Sequence, residues 1–195
     1  GIVLFFSTNI LISRFFSPSM VTPYQIANRY FMVSMLLFTI LCVPYWSATT
    51  DAYAKHDFAW IRQANRTLNK IMLGIALLIG LMTIGSPLVY HIWIGTKASV
   101  PFSMTVLVGL YELILILSTR YSFVLNGIGV LRFQLYVTIA MALCYMPLAI
   151  WVVGQYNNIN ALLLLMCFIN MPGLVVNILQ YYKIIGGKAK GIWVQ

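Results

Sequence analysis

The chain has 195 residues, of which 62% are apolar and only 8% are charged. A typical soluble domain has about 25% charged residues, so the composition excludes an ordinary soluble protein and indicates an integral membrane protein. The net charge of +9 does not indicate nucleic-acid binding, because the basic residues are spread between hydrophobic runs and form no continuous basic face.

Apolar runs long enough to cross a bilayer follow one another along most of the chain. A helix needs about 20 residues to cross about 30 Å of hydrocarbon. The complete runs are 26–50, 71–94, 100–126, 133–153 and 159–182. A shorter run, 1–12, precedes them. We therefore predict an all-α transmembrane bundle of six helices as a single lobe, residues 1–195. Because the chain starts at Gly1 inside an apolar run, we expect a longer parent protein and a truncated first helix.

The only dense cluster of charges lies at residues 51–70, between the second and third runs. Tyr45 and Trp46 come just before it and are typical of a membrane–water interface. The mixture of aromatic and charged residues predicts a short amphipathic helix along the bilayer surface, with Asp57 as the N-cap of its last part.

The basic residues are distributed unequally between the two sides of the predicted bundle. Most of the twelve lie in the 51–70 loop, at the fourth-to-fifth connection or in the tail 183–195, whereas Arg14 and Lys97 lie on the opposite side. By the positive-inside rule, the side with the loop and the C-terminal tail is cytoplasmic.

Two charged residues fall well inside the fourth run, where charge is costly. Placing a charge near the bilayer centre costs at least about 2.5 kcal/mol, so Glu112 and Arg120 should face protein or water. Their spacing of eight residues puts them about 12 Å apart along the helix, too far to bond directly. Asn126 adds polarity close to the same broad face. Either these residues pair with other helices and Arg120 reaches the headgroups, or they form a polar translocation face.

Arg29 lies about a turn inside the second run, and Arg14 lies at the outer end of the first. Headgroup anchoring is one interpretation of both. The other is that they guard the outer mouth of a cleft that accepts an anion.

Prolines fall within four of the five complete runs, at positions 44, 87, 147 and 172. Each removes a backbone hydrogen bond and bends its helix. The bends are either ordinary packing kinks or flexible points in helices that line a cavity.

Residues that would indicate an enzyme are lacking. The sequence has no Ser-His-acid set with plausible geometry and no glycine-rich phosphate loop, and its three cysteines have no metal-like spacing and resemble small core hydrophobes. We therefore expect a transporter that is not an enzyme and needs neither a cofactor nor a metal ion.

Five short motifs carry a family resemblance. In this order and at similar spacing, they resemble the C-terminal half of the bacterial polysaccharide-biosynthesis flippases, the O-antigen translocases of the Wzx type: VTPYQIANRYF, PYWSATTDAYAKHDFAWI, HIWIGTKASVP, NGIGVLRFQLY and QYYKIIGGKAKGIW. The resemblance covers essentially the whole chain. It implies a MATE-like member of the multidrug/oligosaccharidyl-lipid/polysaccharide exporter superfamily, whose members have two six-helix lobes around a central cavity.

The resemblance also implies an activity and partners. Such proteins move an undecaprenyl-pyrophosphate-linked sugar unit across the bacterial cytoplasmic membrane by alternating access. This chain would be the second lobe, with the missing N-terminal lobe, membrane lipids and other polysaccharide-assembly proteins as partners. Arg14, Arg29 and Arg120 are the candidates for contacting the anionic headgroup, Glu112 and Asn126 belong to the candidate translocation face, and Tyr111, Tyr121 and Trp151 are candidates for stacking on sugars.

Three alternatives stay open at this point. A cation-coupled multidrug or metabolite antiporter of the same superfamily would use buried carboxylates, of which only Glu112 is available. A non-transporting membrane scaffold for glycan-assembly enzymes would be indifferent to the intramembrane arginines. A polysaccharide polymerase is disfavoured because the outer connections, 95–99 and 154–158, are too short to build an active site.

Overall fold

The computed structural model describes residues 2–95 and 98–194, which form six α-helices and a short terminal 3-10 helix. The elements are α1 (Ile2–Phe15), α2 (Pro18–Ala54), α3 (Phe58–Ile94), α4 (Phe102–Ile128), α5 (Arg132–Tyr156), α6 (Ile159–Ile185) and η1 (Gly191–Val194). Helices α2 to α6 are long and apolar enough to cross a membrane, and no strand occurs in the described ranges. The predicted all-α membrane fold is confirmed, and the chain is a multi-pass membrane protein.

The bundle is organised around α4. This helix packs against α2, α3 and α6 and is buried along most of its length. Helix α5 lies at the periphery, packs against α6 and α1, and buries only Tyr145, Ala149 and Val153. Helices α4 and α5 therefore both contact α6 while hardly contacting each other.

The second helix starts earlier than the sequence predicted. Ser17 has an extended backbone (φ −173°, ψ 155°), and Pro18 opens the helix at a position where its missing N–H costs nothing. The connection therefore ends at residue 17, not 25. Pro23 lies in the connection 13–25 that the sequence predicted and is a further helix-start signal there, but a single proline removes only one hydrogen bond and the helix continues through it.

The predicted surface helix at 51–70 is wrong. Helix α2 continues to Ala54, a tight turn follows, and α3 runs without a break from Phe58 to Ile94. The reason is that the buried face of α3, with Ile61, Leu68 and Met72, continues across residue 70 at helical spacing. Each of these two helices has 37 residues, about 55 Å, which exceeds the hydrocarbon thickness.

The turn between α2 and α3 is closed by local hydrogen bonds. His56 has a positive φ of 56°, and the Asp57 N–H donates to the Ala52 carbonyl at 2.8 Å. The Asp57 side chain accepts a hydrogen bond from the Trp60 N–H at 2.9 Å. The N-cap predicted at Asp57 is confirmed.

Asp57→Ala should lower the stability of the α2–α3 turn by about 1 kcal/mol, because the Trp60 N–H loses its acceptor. Hydrogen exchange at the first turn of α3 would measure the opening of this segment. Asp51→Ala is the matched control, since it removes only the exposed Lys55–Asp51 ion pair, worth about 0.5 kcal/mol or less. Equal exchange rates in the two variants would contradict the capping role.

The remaining elements agree with the sequence in outline. Pro44, Pro87, Pro147 and Pro172 all lie inside helices, as predicted. Two of the three cysteines, Cys42 and Cys167, are buried as expected, whereas Cys144 is exposed on the outer face of α5. The prediction for Cys144 was wrong because an apolar run alone does not distinguish a core position from one that faces lipid.

Candidate functional site

A groove of about 470 Å³ lies between α4 and α5, with α6 as its floor. It exists because α4 and α5 both pack on α6 but hardly on each other. Its polar lining consists of hydroxyl and amide side chains, and no charged residue of the described chain lines it. The polar lining residues are Ser118, Thr119, Ser122, Gln134, Thr138, Asn170 and Asn177.

Helical periodicity brings these side chains together. On α4, Ser122 lies four residues after Ser118 and three after Thr119. On α5, Gln134 and Thr138 are four residues apart, and on α6, Asn170 and Asn177 are seven residues apart. Residues at such spacings share one face of a helix. Each of the three helices therefore presents a polar stripe to the same space.

Asn177 ties the floor of the groove to one wall. Its side chain is only 6% exposed, and its amide donates to the Ser118 and Ser122 hydroxyls at 2.9 Å each. Hydrogen bonds between helices within a membrane are each worth about 1 kcal/mol. These two hydrogen bonds hold α4 against α6.

Other groove side chains keep hydrogen-bonding capacity for a ligand. Within the described part of the chain, the hydroxyls of Thr119 and Thr138 form no hydrogen bond, although both residues line the groove. Asn170 uses its amide nitrogen on the Met166 carbonyl of its own helix, at 2.7 Å. Its amide oxygen is thereby left to accept from a ligand. The groove suits a neutral ligand with several hydroxyl groups.

Arg120 lies in the bundle interior and does not line the groove. Its side chain is 4% exposed, and its Nη2 donates to the Asn65 Oδ1 of α3 at 2.9 Å. The guanidinium carbon lies 4.2 Å from the centroid of the Tyr121 ring, within cation–π distance. Its Nε is buried without a partner among the described residues. Of the interpretations left open, pairing with another helix describes this geometry best.

Glu112 and Asn126 lie on either side of Arg120 along α4. Glu112 is buried, with 8% exposed, and forms no ion pair with any described residue. The direct Glu112–Arg120 bond that the spacing excluded is not formed. Asn126 is half-buried in the last turns of α4 and does not line the groove.

Arg14 and Arg29 are both exposed, and neither reaches the groove. The Arg14 guanidinium lies 5.9 Å from the Phe15 ring, beside a shallow depression between α1 and α2. Arg29 lies on α2, one turn before the run of exposed apolar residues that begins at Met32. This position is compatible with headgroup anchoring.

The predicted site residues are therefore not gathered in one place. The buried Arg120 and Glu112, the half-buried Asn126 and the exposed Arg14 and Arg29 occupy different parts of the bundle. The aromatic candidates are also dispersed, since Tyr111 and Tyr121 are buried and Trp151 is exposed on α5. The sequence did not predict the groove as a site, although small polar residues recurring at helical spacing in three apolar helices were a usable signal.

Comparison of the chain with protein-family models, with curated proteins and with solved structures found no match.

Proposed function

We propose that the chain is one lobe of a flippase that moves an undecaprenyl-pyrophosphate-linked oligosaccharide across the bacterial cytoplasmic membrane by alternating access. The observation that carries the proposal is the uncharged polar groove between α4 and α5. Sugar hydroxyls removed from water need hydrogen-bond partners, and neutral hydroxyl and amide side chains supply them without the cost of burying a charge.

The position of the groove suits a substrate with a lipid tail. Helix α5 forms one wall and turns large apolar side chains outward, among them Leu135, Ile139 and Leu143. A polyprenyl chain can stay among such side chains in the lipid while a polar head occupies the groove. This arrangement lowers the cost of moving the head through the bilayer.

The pyrophosphate of the proposed substrate is anionic, so positive charge in the lobe would attract it. Arg120 lies one residue from the groove residue Thr119, and it forms no ion pair with any residue that the structure describes. In a low-dielectric interior its charge acts over a longer range than in water. In this proposal Arg120 attracts the pyrophosphate through its field, and Arg29 and Arg14 meet the substrate at the outer end.

The proposal includes a second six-helix lobe in the same polypeptide, a cytoplasmic C-terminus, and other polysaccharide-assembly proteins as partners. The excess of Lys and Arg at the α2–α3 turn and in the tail supports the orientation. The exposed face of α2, from Met32 to Trp46, offers a surface of suitable length for contact with another lobe or with lipid.

A cation-coupled antiporter is the alternative with a specific observation in its favour. Glu112 is the one buried carboxyl side chain among the described residues, and it forms no ion pair with any of them. A group of this kind can bind a proton or a metal cation during transport. Loss of activity on Glu112→Gln, together with uptake of a cationic substrate, would favour this alternative.

The full-length gene should restore surface polysaccharide in a bacterium that lacks its own flippase and makes the matching sugar unit. With equal amounts of protein in the membrane, we expect Arg120→Ala to lower polysaccharide by at least about tenfold, equivalent to about 1.4 kcal/mol. Arg29→Ala should lower it less, because Arg29 is exposed and reaches solvent or headgroups. Immunoblotting of surface polysaccharide provides the measurement.

Asn65→Ala is the control for structural damage, because it removes the hydrogen-bond partner of Arg120 and keeps the charge. If Asn65→Ala and Arg120→Ala lose activity equally, Arg120 serves packing and not substrate. If wild type restores nothing, the flippase proposal fails and drug-efflux assays come next. A scaffold would tolerate neutralisation of both Arg29 and Arg120.

A further inference from the structure

Three basic residues form a stripe on the outer face of α3, near the turn that joins it to α2. Arg62, Arg66 and Lys70 are four residues apart, and all three are exposed. A spacing of four residues turns a helix by about 40° beyond a full turn, so the three side chains share one face. We call these three residues the basic stripe.

The same face of α3 continues as a surface of aliphatic side chains, interrupted only in its last turn by the exposed His91. Its side chains are between 63% and 76% exposed, and they follow the basic stripe without a gap: Leu73, Leu77, Leu81, Ile84, Leu88 and Ile92. From Leu73 to Ile92 the helix rises about 29 Å, which matches the hydrocarbon thickness of about 30 Å. The face that contacts lipid tails therefore ends where the basic stripe begins.

The alignment of α3 with the bilayer determines the depth of the three basic residues. Lys70 lies about 5 Å beyond Leu73 along the helix, and Arg66 lies about 10 Å beyond it. The headgroup region of one leaflet is about 5 to 8 Å thick, so Lys70 lies within it. Arg66 lies just outside it, and its long side chain can extend back to the phosphates. Arg62 lies about 6 Å further out, within the Debye length of about 8 Å at physiological ionic strength.

No acidic residue of the chain neutralises the basic stripe. The chain has only three acidic residues. Asp51 pairs with Lys55 at 2.8 Å, Asp57 caps α3 through the Trp60 N–H, and Glu112 is buried in α4. None of the described acidic side chains forms an ion pair with the basic stripe, so its three charges are open to a counter-charge from another molecule.

We propose that the basic stripe binds the headgroups of anionic phospholipids in the leaflet at the α2–α3 turn. Lipids whose tails cover Leu73 and Leu77 carry their phosphates to the level of Lys70 and Arg66. An acidic protein could reach the basic stripe only through the lipid headgroups, which lie at the same level along α3. The stripe thus selects anionic over zwitterionic lipid and anchors the hairpin of α2 and α3, independently of what the protein transports.

The test uses the purified protein and phosphatidylglycerol, with phosphatidylcholine as the zwitterionic reference. Native mass spectrometry during lipid titration gives an apparent dissociation constant for the first bound lipid. Each basic residue near an anionic surface is worth about a fivefold change in binding. We expect Arg62→Gln/Arg66→Gln/Lys70→Gln to weaken phosphatidylglycerol binding by at least about fivefold and to leave phosphatidylcholine binding unchanged.

The matched control is Lys55→Gln/Lys188→Gln/Lys190→Gln, which removes the same number of exposed basic residues elsewhere. We expect it to bind phosphatidylglycerol as wild type does. Equal losses in the two variants would show a general charge effect and overturn the proposal. Unchanged binding in the stripe variant would also overturn it, and the stripe would then be tested against acidic protein partners.

Discussion

Ala142→Trp should abolish polysaccharide export in the complementation assay. Ala142 is half-buried and lines the groove from the α5 side, one helical turn after Thr138. An indole at this position would fill much of the 470 Å³ space and cover the polar groups of α4. A sugar head would then have no room to bind, so we expect less than about one hundredth of wild-type export, a change of about 2.7 kcal/mol or more.

Leu143→Trp is the matched control on the neighbouring residue. Leu143 is 71% exposed on the lipid-facing side of α5, so its replacement adds the same bulk outside the groove. This variant should export polysaccharide as wild type does, at equal amounts in the membrane. If both variants export normally, the groove is not on the substrate path, although the protein can still be a flippase.

Gly127→Val should destabilise the bundle by about 3 kcal/mol, because α2 and α4 touch at this point. A Cβ at Gly127 would lie 2.8 Å from the Trp46 carbonyl oxygen and 2.9 Å from the Thr49 Cβ. The first contact is with backbone, and Thr49 is itself buried, so neither neighbour can move away easily. Thermal unfolding of the purified protein in detergent would measure the change as a lower midpoint.

Gly80→Ala on α3 separates this contact from the general effect of replacing glycine in a helix. Apart from the backbone of its own helix and its two chain neighbours, no described atom lies within 4 Å of a Cβ at Gly80, and alanine is a better helix former by about 0.5 to 1 kcal/mol. Its midpoint should therefore rise or stay unchanged. A midpoint for Gly127→Val equal to that of wild type would mean that α2 and α4 are further apart than described.

Much of the fold was predictable because a bilayer imposes length and composition on each helix. The predicted spans for α4, α5 and α6 differ from the helices by only a few residues at each end. The wrong predictions concern helical segments that contain polar residues or prolines. At 51–70 the charges suggested a surface segment, but the buried side of α3, with Ile61 and Leu68, keeps the helix continuous. At 18–25 both prolines are helix-start signals, and α2 begins at the first of them, Pro18, whereas the predicted run began only at residue 26.

The candidate site was less predictable, for a reason visible in Arg120. Hydrophobicity marks an intramembrane arginine as unusual, but it does not tell whether the side chain faces a cavity or another helix. Here the Asn65 side chain, 55 positions away in sequence, receives the hydrogen bond. The groove residues could not be assigned a role from the sequence, because serine, threonine and asparagine are each common in membrane helices and form a site only where three helices converge.

The sequence by itself determined that this is a multi-pass, all-α membrane protein. It also determined the excess of positive charge at the α2–α3 turn and in the tail. Both follow from the sequence because hydrophobic length and charge are properties of single segments. Only the tertiary structure decided that α4 is the centre of the bundle, that Arg120 is held by Asn65, and that α4, α5 and α6 enclose a groove. Those features depend on how the helices pack against one another. Whether one side of a helix faces a neighbour, a groove or lipid is decided by the helices around it.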